Sequence, residues 1–320
     1  MSIIEKAAKK LGVPASSVSA QTAEEPQIHA EGGSIIEAAL AHSHSMPERR
    51  EPATETLPDL ADSTDSVESR VNSVVTNVVQ NVDLARLRKI GAITPDTEKS
   101  QVAEEFRIIK RPLIANAFGQ GTAKVKNGNL IMITSSLPGE GKTFCAINLA
   151  ISMAMEMDRT VLLVDADVAR PRIPENLGLH ADLGFLDVLQ DKKLNLSDVL
   201  IRTDIAKLTV LPAGRTYKRA TELLASAAMT RLVEDIGSRY HDRIILFDSP
   251  PLLATSEAGV LAAHMGQIVM VVEAEKTSQE AVTEALNHIQ TCEVVGMLLN
   301  KTTPTPGADY YYGYYGSYGK

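Results

Sequence analysis

From residue 130 onward the chain alternates short aliphatic runs with amphipathic stretches, and no other feature of the sequence limits the fold as strongly. Helices are predicted for residues 142–156, 220–238, 256–264 and 277–290. Six aliphatic runs predict strands: LIMITS, TVLLVDA, KLTVLPA, RIILFDS, QIVMVVEA and VVGMLLN. Continuous aliphatic strands separated by helices predict an α/β fold, in which a parallel sheet is covered by helices on both faces. Ligands of such sheets bind at the carboxyl ends of the strands, so the residues that follow each strand are the candidates for function.

The first strand is followed by SSLPGEGKT, residues 135–143, which matches the phosphate-binding loop G-x-x-x-x-G-K-[ST] except for Ser136 in place of the first glycine. In this motif backbone N–H groups curl around phosphate oxygens, helped by the dipole of the following helix. The Lys142 ammonium reaches the β- and γ-phosphates, and the Thr143 hydroxyl binds Mg²⁺. Its position between a buried strand and an amphipathic helix predicts ATP binding on a P-loop NTPase-type sheet, rather than a simple tight turn. The loop residues predicted to bind the nucleotide are Ser136, Pro138, Gly139, Glu140, Gly141, Lys142 and Thr143.

Three aspartates follow two other strands of the predicted sheet. Asp165 and Asp167 come directly after the second strand, and Asp248 follows RIILF. A helix N-cap would explain one carboxylate of the DxD pair but not both. Asp248 stands where P-loop proteins hold the magnesium shell. The sequence therefore predicts that all three carboxylates converge on the metal and the phosphates.

Together these motifs resemble the bacterial tyrosine kinases (BY-kinases), whose loop reads SSxPGEGKT, whose second motif ends in DxD and whose third ends in DxPP. The resemblance covers about residues 104–320. EEFRIIK resembles the E-x-x-R-x-x-R oligomerisation signature of that family, with Glu104, Arg107 and Lys110, and GMLLNK resembles its final strand, where Asn300 would meet the adenine. Within the family, MSIIEKA, DLARLRKIGAITPD and EEFRIIKRPLIANAF are similar to the exosortase-associated (PEP-CTERM locus) exopolysaccharide tyrosine autokinases.

The resemblance implies an ATP-dependent protein-tyrosine autokinase. Lys142 and the three aspartates would be its catalytic residues: Asp165 would act as base toward the tyrosine, Asp167 with Thr143 would hold Mg²⁺, and Asp248 would orient water around that ion. The chain departs from the family pattern at Ala169, where an arginine is usual, as well as at Ser136 and Lys110.

Tyrosine is concentrated at the end of the chain, where glycines and prolines predict a flexible tail. The resemblance implies that this cluster is autophosphorylated in trans within a ring oligomer. Phosphorylation would add about −1.5 to −2 charges per tyrosine and would open the ring. It also implies a membrane polysaccharide co-polymerase as activator, a tyrosine phosphatase as partner, and control of exopolysaccharide or capsule biosynthesis and export. The clustered tyrosines are Tyr310, Tyr311, Tyr312, Tyr314, Tyr315 and Tyr318.

Composition divides the chain into three predicted parts. Residues 1–82 form a largely disordered N-terminal arm with short helices, 83–302 the kinase domain, and 303–320 the tail. Residues 14–66 are poor in aliphatic side chains, which is typical of disorder.

Residues 100–118 predict an amphipathic helix that Pro112 kinks or caps. Its inward side chains are predicted to be Val102, Phe106, Ile109 and Leu113.

The net charge of −8 argues against nucleic-acid binding, and two distant cysteines predict neither a disulfide framework nor a zinc site. With no apolar run of 18 residues, we expect a cytoplasmic protein that is peripheral to the inner membrane through its partner.

Two other functions are compatible with a P-loop. A Min/Par-type partitioning ATPase carries a second lysine one residue after the first position of the loop, but Leu137 stands there, and the tyrosine tail has no role in partitioning. A non-catalytic scaffold would only bind nucleotide and the co-polymerase. ATP-dependent phosphate incorporation into the tail distinguishes all three.

Overall fold

The computed structural model of the protein describes residues 79–97, 99–119, 125–239 and 242–303. Most of the predicted N-terminal arm and the whole tyrosine cluster lie outside these residues. The described helices are α1 (Leu84–Lys89), α2 (Gln101–Phe118), α3 (Lys142–Ala154), α4 (Ile173–Leu177), α5 (Phe185–Gln190), α6 (Leu196–Val199), α7 (Ala220–Leu224), α8 (Ala227–Ser238), α9 (Glu257–Ala262) and α10 (Gln279–Asn287). The described strands are β1 (Leu130–Ser135), β2 (Thr160–Asp165), β3 (Ile201–Arg202), β4 (Leu208–Leu211), β5 (Arg243–Asp248), β6 (Gln267–Glu273) and β7 (Val295–Asn300).

The strands form one seven-stranded sheet in the order β3-β4-β2-β5-β1-β6-β7. All six predicted strands are present, and their neighbouring pairs are parallel, which confirms the predicted α/β fold. The sheet is mixed rather than wholly parallel, because the unpredicted β3 pairs antiparallel to β4. A strand of two residues is too short to show a hydrophobic pattern.

The central strands of the sheet are buried on both faces, as their continuous aliphatic sequences predicted. Ile131 and Ile133 of β1 belong to the core beneath α2 and α3. Leu130 and Met132 point the other way, into the core beneath α8, α9 and α10. This alternation is the period of two that a β-strand imposes.

The helix predicted over residues 100–118 is α2, and Ser100 caps its start by accepting a hydrogen bond from Ala103 N. Phe106 and Leu113 are buried as predicted, while Val102 and Ile109 are partly buried against the same core. The helix continues through Pro112 to Phe118, so this proline does not cap it.

The helix predicted over residues 220–238 is interrupted. It divides into α7 and α8, because Ser226 accepts a hydrogen bond from Met229 N and starts a new helix.

Among the described residues no helix is both long and apolar enough to cross a lipid bilayer.

The last residues assigned to the N-terminal arm pack with the sheet. Gln80 N donates to Arg202 O at 2.9 Å, and Asp204 N donates to Gln80 O at 3.0 Å, so residues 79–82 cover the β3 edge. Val82 is buried in the core. The four residues 79–82 therefore belong to the folded domain rather than to the arm.

Candidate active site

The phosphate-binding loop connects β1 to α3 and depends on two glycines in the left-handed region. Gly139 has φ of 90° and Gly141 has φ of 97°. A side chain at either position would strain the backbone, since residues with a Cβ rarely adopt this conformation. A Cβ on Gly141 would also lie 2.1 Å from Asn300 Nδ2. The conformation of the loop therefore requires glycine at positions 139 and 141.

Neighbouring elements hold the loop through hydrogen bonds that the sequence did not reveal. The buried Glu140 side chain accepts from Leu137 N at 2.7 Å and from the Thr277 hydroxyl. Asn300 Nδ2 donates to Glu140 O at 2.8 Å, and Lys301 Nζ donates to Gly139 O at 2.8 Å. The Glu140 carboxylate thus joins the loop to the segment after β6, and Asn300 supports the loop at the end of β7. Its predicted contact with adenine stays a prediction.

The predicted carboxylates meet the loop lysine at the carboxyl edge of the sheet. Asp165 and Asp248 are register partners on neighbouring strands. Lys142 Nζ lies 2.6 Å from Asp167 Oδ2 and 3.8 Å from Asp248 Oδ1. All four side chains are buried. The structure therefore brings together the residues that the motifs singled out.

Burial and crowding alter the protonation of these groups. Burial and the Asp248 carboxylate raise the pKa of Asp165 to about 7. Burial also raises the pKa of Asp248 to about 6, against the opposing effect of the Lys142 ammonium. Burial acts to lower the pKa of Lys142, but the Asp248 and Asp167 carboxylates raise it above its ordinary value. Three carboxylates facing one ammonium leave an excess of negative charge that a bound cation would neutralise.

Each aspartate of the DxD pair is anchored through one of its oxygens. Asp165 Oδ2 accepts from Arg172 N and Ile173 N, both at 2.8 Å, and so caps α4. Its buried Oδ1 has no hydrogen-bond partner among the described residues. Asp167 Oδ1 accepts from Arg170 N at 3.1 Å, while its Oδ2 contacts the lysine. The capping role considered for one carboxylate therefore belongs to Asp165 and uses only one of its two oxygens.

The donor set fits a magnesium nucleotide. Both oxygens of the fully buried Asp248 lack a hydrogen-bond partner within the described part of the chain, and so does Ser136 Oγ. Mg²⁺ prefers such oxygen ligands and takes one or two carboxylates together with the phosphates of its substrate. Among the described residues no group of three or more His, Cys, Asp or Glu side chains is placed to hold a metal ion by itself. The residues that would hold the ion are Thr143, Asp167 and Asp248.

The three charged residues of the predicted oligomer signature differ in their surroundings. Glu104 and Arg107 form an ion pair on α2, and the two side chains are partly exposed. Lys110 is buried, and its Nζ contacts Ser152 O at 2.5 Å and Glu156 Oε1 at 2.7 Å. Lys110 therefore forms its ion pair within its own chain. The sequence had instead predicted that this lysine contacts a neighbouring subunit.

A second polar cluster follows β4, at the same edge of the sheet, and sequence reasoning missed it. The fully buried Asp187 carboxylate accepts from Gly184 N at 2.9 Å, Arg215 Nε at 2.5 Å and Tyr217 OH at 2.7 Å. Burial acts to raise the pKa of Asp187, but the bonds from Arg215 and Tyr217 hold it below its ordinary value. The only signal in the sequence is a run of polar residues directly after a strand. The cluster fixes the loop after β4 against α5.

Comparisons with known proteins place this geometry among kinases. A family model described as AAA domain matches residues 128–301. The chain is 31% identical to tyrosine-protein kinase YwqD of Bacillus subtilis, over 68% of this chain and 88% of that protein. It is 29% identical to putative tyrosine-protein kinase CapB of Staphylococcus aureus, over 72% of this chain and 98% of that protein. It is 31% identical to putative tyrosine-protein kinase EpsB of Ralstonia nicotianae, over 60% of this chain but only 25% of that longer protein.

Solved structures agree with these relatives. The crystal structure of the chimerical protein CapA2B2 matches with a TM-score of 0.59 and 25% identity, over 71% of this chain and 95% of that one. The kinase domain of the Escherichia coli tyrosine kinase ETK matches with a TM-score of 0.52 and 26% identity, over 57% of this chain and 71% of that one. The VpsO kinase domain matches with a TM-score of 0.51 and 29% identity, over 64% of this chain and 100% of that one.

Proposed function

The chain belongs to the bacterial tyrosine kinases, and from this premise we propose that it transfers the γ-phosphoryl group of ATP to the tyrosines of its own C-terminal tail. The observation that carries the proposal is the placement of Lys142, at the end of the glycine loop, 2.6 Å from Asp167 and 3.8 Å from Asp248, whose register partner Asp165 keeps Oδ1 without a hydrogen-bond partner among the described residues. The arrangement combines a phosphate site with a carboxylate that can take a proton.

Each residue has a distinct task in the proposed reaction. Lys142 binds the phosphates and stabilises the charge that develops on them. The tyrosine hydroxyl gives its proton to Asp165 Oδ1 while the phenol oxygen bonds the γ-phosphorus. The bond from that phosphorus to the bridging oxygen breaks, and ADP leaves. Mg²⁺ held by Thr143, Asp167 and Asp248 would neutralise negative charge on the phosphates.

The pKa of the base supports this assignment. A general base works best when its pKa lies near the working pH. Burial and Asp248 raise the pKa of Asp165 to about 7, whereas an ordinary aspartate would be a weaker base.

The wider setting is also part of the proposal. Tails are phosphorylated in trans within a ring whose contacts include Glu104 and Arg107 on α2, and phosphorylation opens the ring. A membrane polysaccharide co-polymerase activates the kinase at the cytoplasmic side of the inner membrane, and a tyrosine phosphatase resets it. This cycle regulates exopolysaccharide or capsule export. The partial exposure of the Glu104–Arg107 pair on α2 supports the ring contact.

A lysine substitution tests the site. In Lys142→Met, phosphotyrosine formation should fall below detection, because the variant cannot bind and stabilise the phosphates through this side chain. The matched control is Lys276→Met, whose side chain is 74% exposed on the loop after β6 and should leave the rate unchanged. The measurement is phosphosite mass spectrometry after incubation with MgATP. Full tail phosphorylation in Lys142→Met would contradict the assignment.

A further inference from the structure

The strand β7 is an edge of the sheet that lacks the usual protection. It pairs only with β6, and its outer side has no strand neighbour in the described part of the chain. Its sequence VGMLLN contains no charged residue and no proline, although edge strands usually carry one to prevent association. Met297 is 65% exposed and Leu299 is 61% exposed. The opposite edge differs, since β3 has only two residues and residues 79–82 cover it.

The backbone of the same two residues points outward. Val294 O accepts from Ile268 N and Asn300 O accepts from Ala274 N, both at 2.9 Å, so even-numbered residues face β6. Backbone groups alternate in direction along a strand, which turns those of Met297 and Leu299 toward the open side. The edge therefore offers unpaired N–H and C=O groups together with two apolar side chains.

The chain itself supplies a segment of suitable length and composition. The described residues end at Thr303, three residues after β7, and Lys301 already adopts a left-handed φ of 57° that is typical of a turn. Pro304, Pro306 and Gly307 follow, and then thirteen residues with all six clustered tyrosines. Six paired residues need about 20 Å of strand, which these thirteen residues exceed. Tyrosine is among the residues that favour strands most.

We propose that the unphosphorylated tail of residues 308–320 adds to the β7 edge of its own chain as an antiparallel strand. Tyrosine rings then cover Met297 and Leu299, where the thioether of Met297 makes favourable contacts with aromatic rings. Phosphorylation releases the tail, because a phosphate of about −1.5 to −2 charges is unfavourable against the apolar side chains of β7, a strand that contains no cation itself. Only this release step rests on the proposed function. Docking competes with delivery of the tail to an active site.

Hydrogen exchange of the β7 amides tests docking. In the full-length Lys142→Met chain, which stays unphosphorylated, the peptide spanning β7 should exchange about tenfold slower than in the same chain ended at Thr303. Met297→Lys in the full-length background should abolish this difference by placing a charge under the tyrosines. The matched control is Met157→Lys, at a methionine that lies outside β7 and is 84% exposed. This control should preserve the difference in exchange between the full-length and the shortened chain.

Other results of the exchange experiment would assign the β7 edge to a different occupant or would refute one of the proposals. Equal exchange in the full-length and shortened chains would overturn docking. Slow exchange that persists in the shortened chain and grows with protein concentration would assign the edge to a second copy, and would overturn docking as well. Slow exchange that remains after complete tail phosphorylation would refute the release step. A tail that is protected in Lys142→Met but gains no phosphate in the parent chain would refute the proposed function while supporting docking.

Discussion

The two aspartates of the DxD motif use their oxygens for different purposes. In Asp165 and in Asp167 one oxygen accepts backbone N–H groups of the segment that follows β2. The other oxygen of Asp167 contacts the loop lysine, and the other oxygen of Asp165 has no hydrogen-bond partner among the described residues. An anchored carboxylate has already lost its rotational freedom before substrate arrives, which lowers the entropy cost of reaching the reactive geometry. The local fold after β2 thus prepares the chemistry.

Asp165→Asn should separate proton transfer from ATP binding. The amide oxygen can still accept from Arg172 N and Ile173 N, so we expect an intact fold and nearly unchanged MgATP affinity. Loss of the base should lower the rate of tail phosphorylation by about 10²–10⁴-fold. The parent rate should rise with pH through about 7, where Asp165 loses its proton, and the residual rate of the variant should lack this rise. A variant with the parent pH profile would exclude Asp165 as the base.

The same substitution has a consequence for stability. The pKa of Asp165 is raised from 3.8 to about 7, so this side chain stabilises the fold most below pH 3.8 and progressively less as the pH rises to about 7. Asparagine does not titrate. Denaturant unfolding should therefore show the variant gaining stability relative to the parent between about pH 4 and pH 7. A difference that is constant across this range would mean that burial does not shift the pKa.

Glu140 should control the shape of the phosphate loop through hydrogen bonds rather than through its charge. Glu140→Gln can keep both bonds, because the Thr277 hydroxyl can accept as well as donate. Glu140→Ala loses both, and at about 1 kcal/mol each we expect the KM for ATP to rise about tenfold or more. The KM for ATP of Thr277→Val should lie between the values of the two Glu140 variants. Steady-state kinetics decide, and a glutamine variant as impaired as the alanine variant would point to charge instead.

At the scale of elements, α2 is attached to α3 by the buried ammonium of Lys110, which pairs with a partly exposed carboxylate. Lys110 on α2 contacts Ser152 O and Glu156, at the end of α3. Replacing Lys110 by methionine removes a buried charge and fills the same space, so the free energy of unfolding should change by less than about 1 kcal/mol. Glu156→Ala leaves the buried ammonium with Ser152 O but without its carboxylate and should cost about 1–3 kcal/mol. Urea unfolding measures both, and a larger loss in Lys110→Met would contradict this view of the contact.

The sequence was informative wherever a pattern was long or a residue followed a strand. Six strands were predicted from aliphatic runs, and the convergence of Asp165, Asp167 and Asp248 followed from parallel strands that end at one edge. Two-residue β3 and helix α6 of four residues were missed, because a single turn or pair shows no periodicity. The bond from Thr277 to Glu140 joins residues 137 positions apart, and Thr277 belongs to no sequence motif. A hydrogen bond between two distant loops depends on how the whole chain folds, so a local sequence pattern does not predict it.

At the scale of the whole molecule, the active site and the end of the described chain lie at the same edge of the sheet. Asn300 at the end of β7 touches the phosphate loop, and Lys301 donates to Gly139 O. The tail thus leaves the domain next to the site. A short tether of this kind gives a segment an effective concentration of order mM near any site that it reaches. Whether the tail reaches its own site or that of a neighbour depends on the assembly.

A mixing experiment distinguishes these two routes. A Lys142→Met chain with an intact tail is combined with an active chain that lacks residues 304–320, so that phosphate can appear on the tail only by transfer between chains. We expect the tail to be phosphorylated in the parent background. When Glu104→Ala and Arg107→Ala are present in both chains, the ring contact is lost, and transfer becomes an ordinary bimolecular reaction. It should then slow markedly and depend more steeply on protein concentration, while MgATP affinity stays nearly unchanged because each chain keeps its whole nucleotide site. An unmodified tail in the parent mixture, together with active full-length chains that phosphorylate themselves at a rate independent of dilution, would show that the reaction occurs in cis.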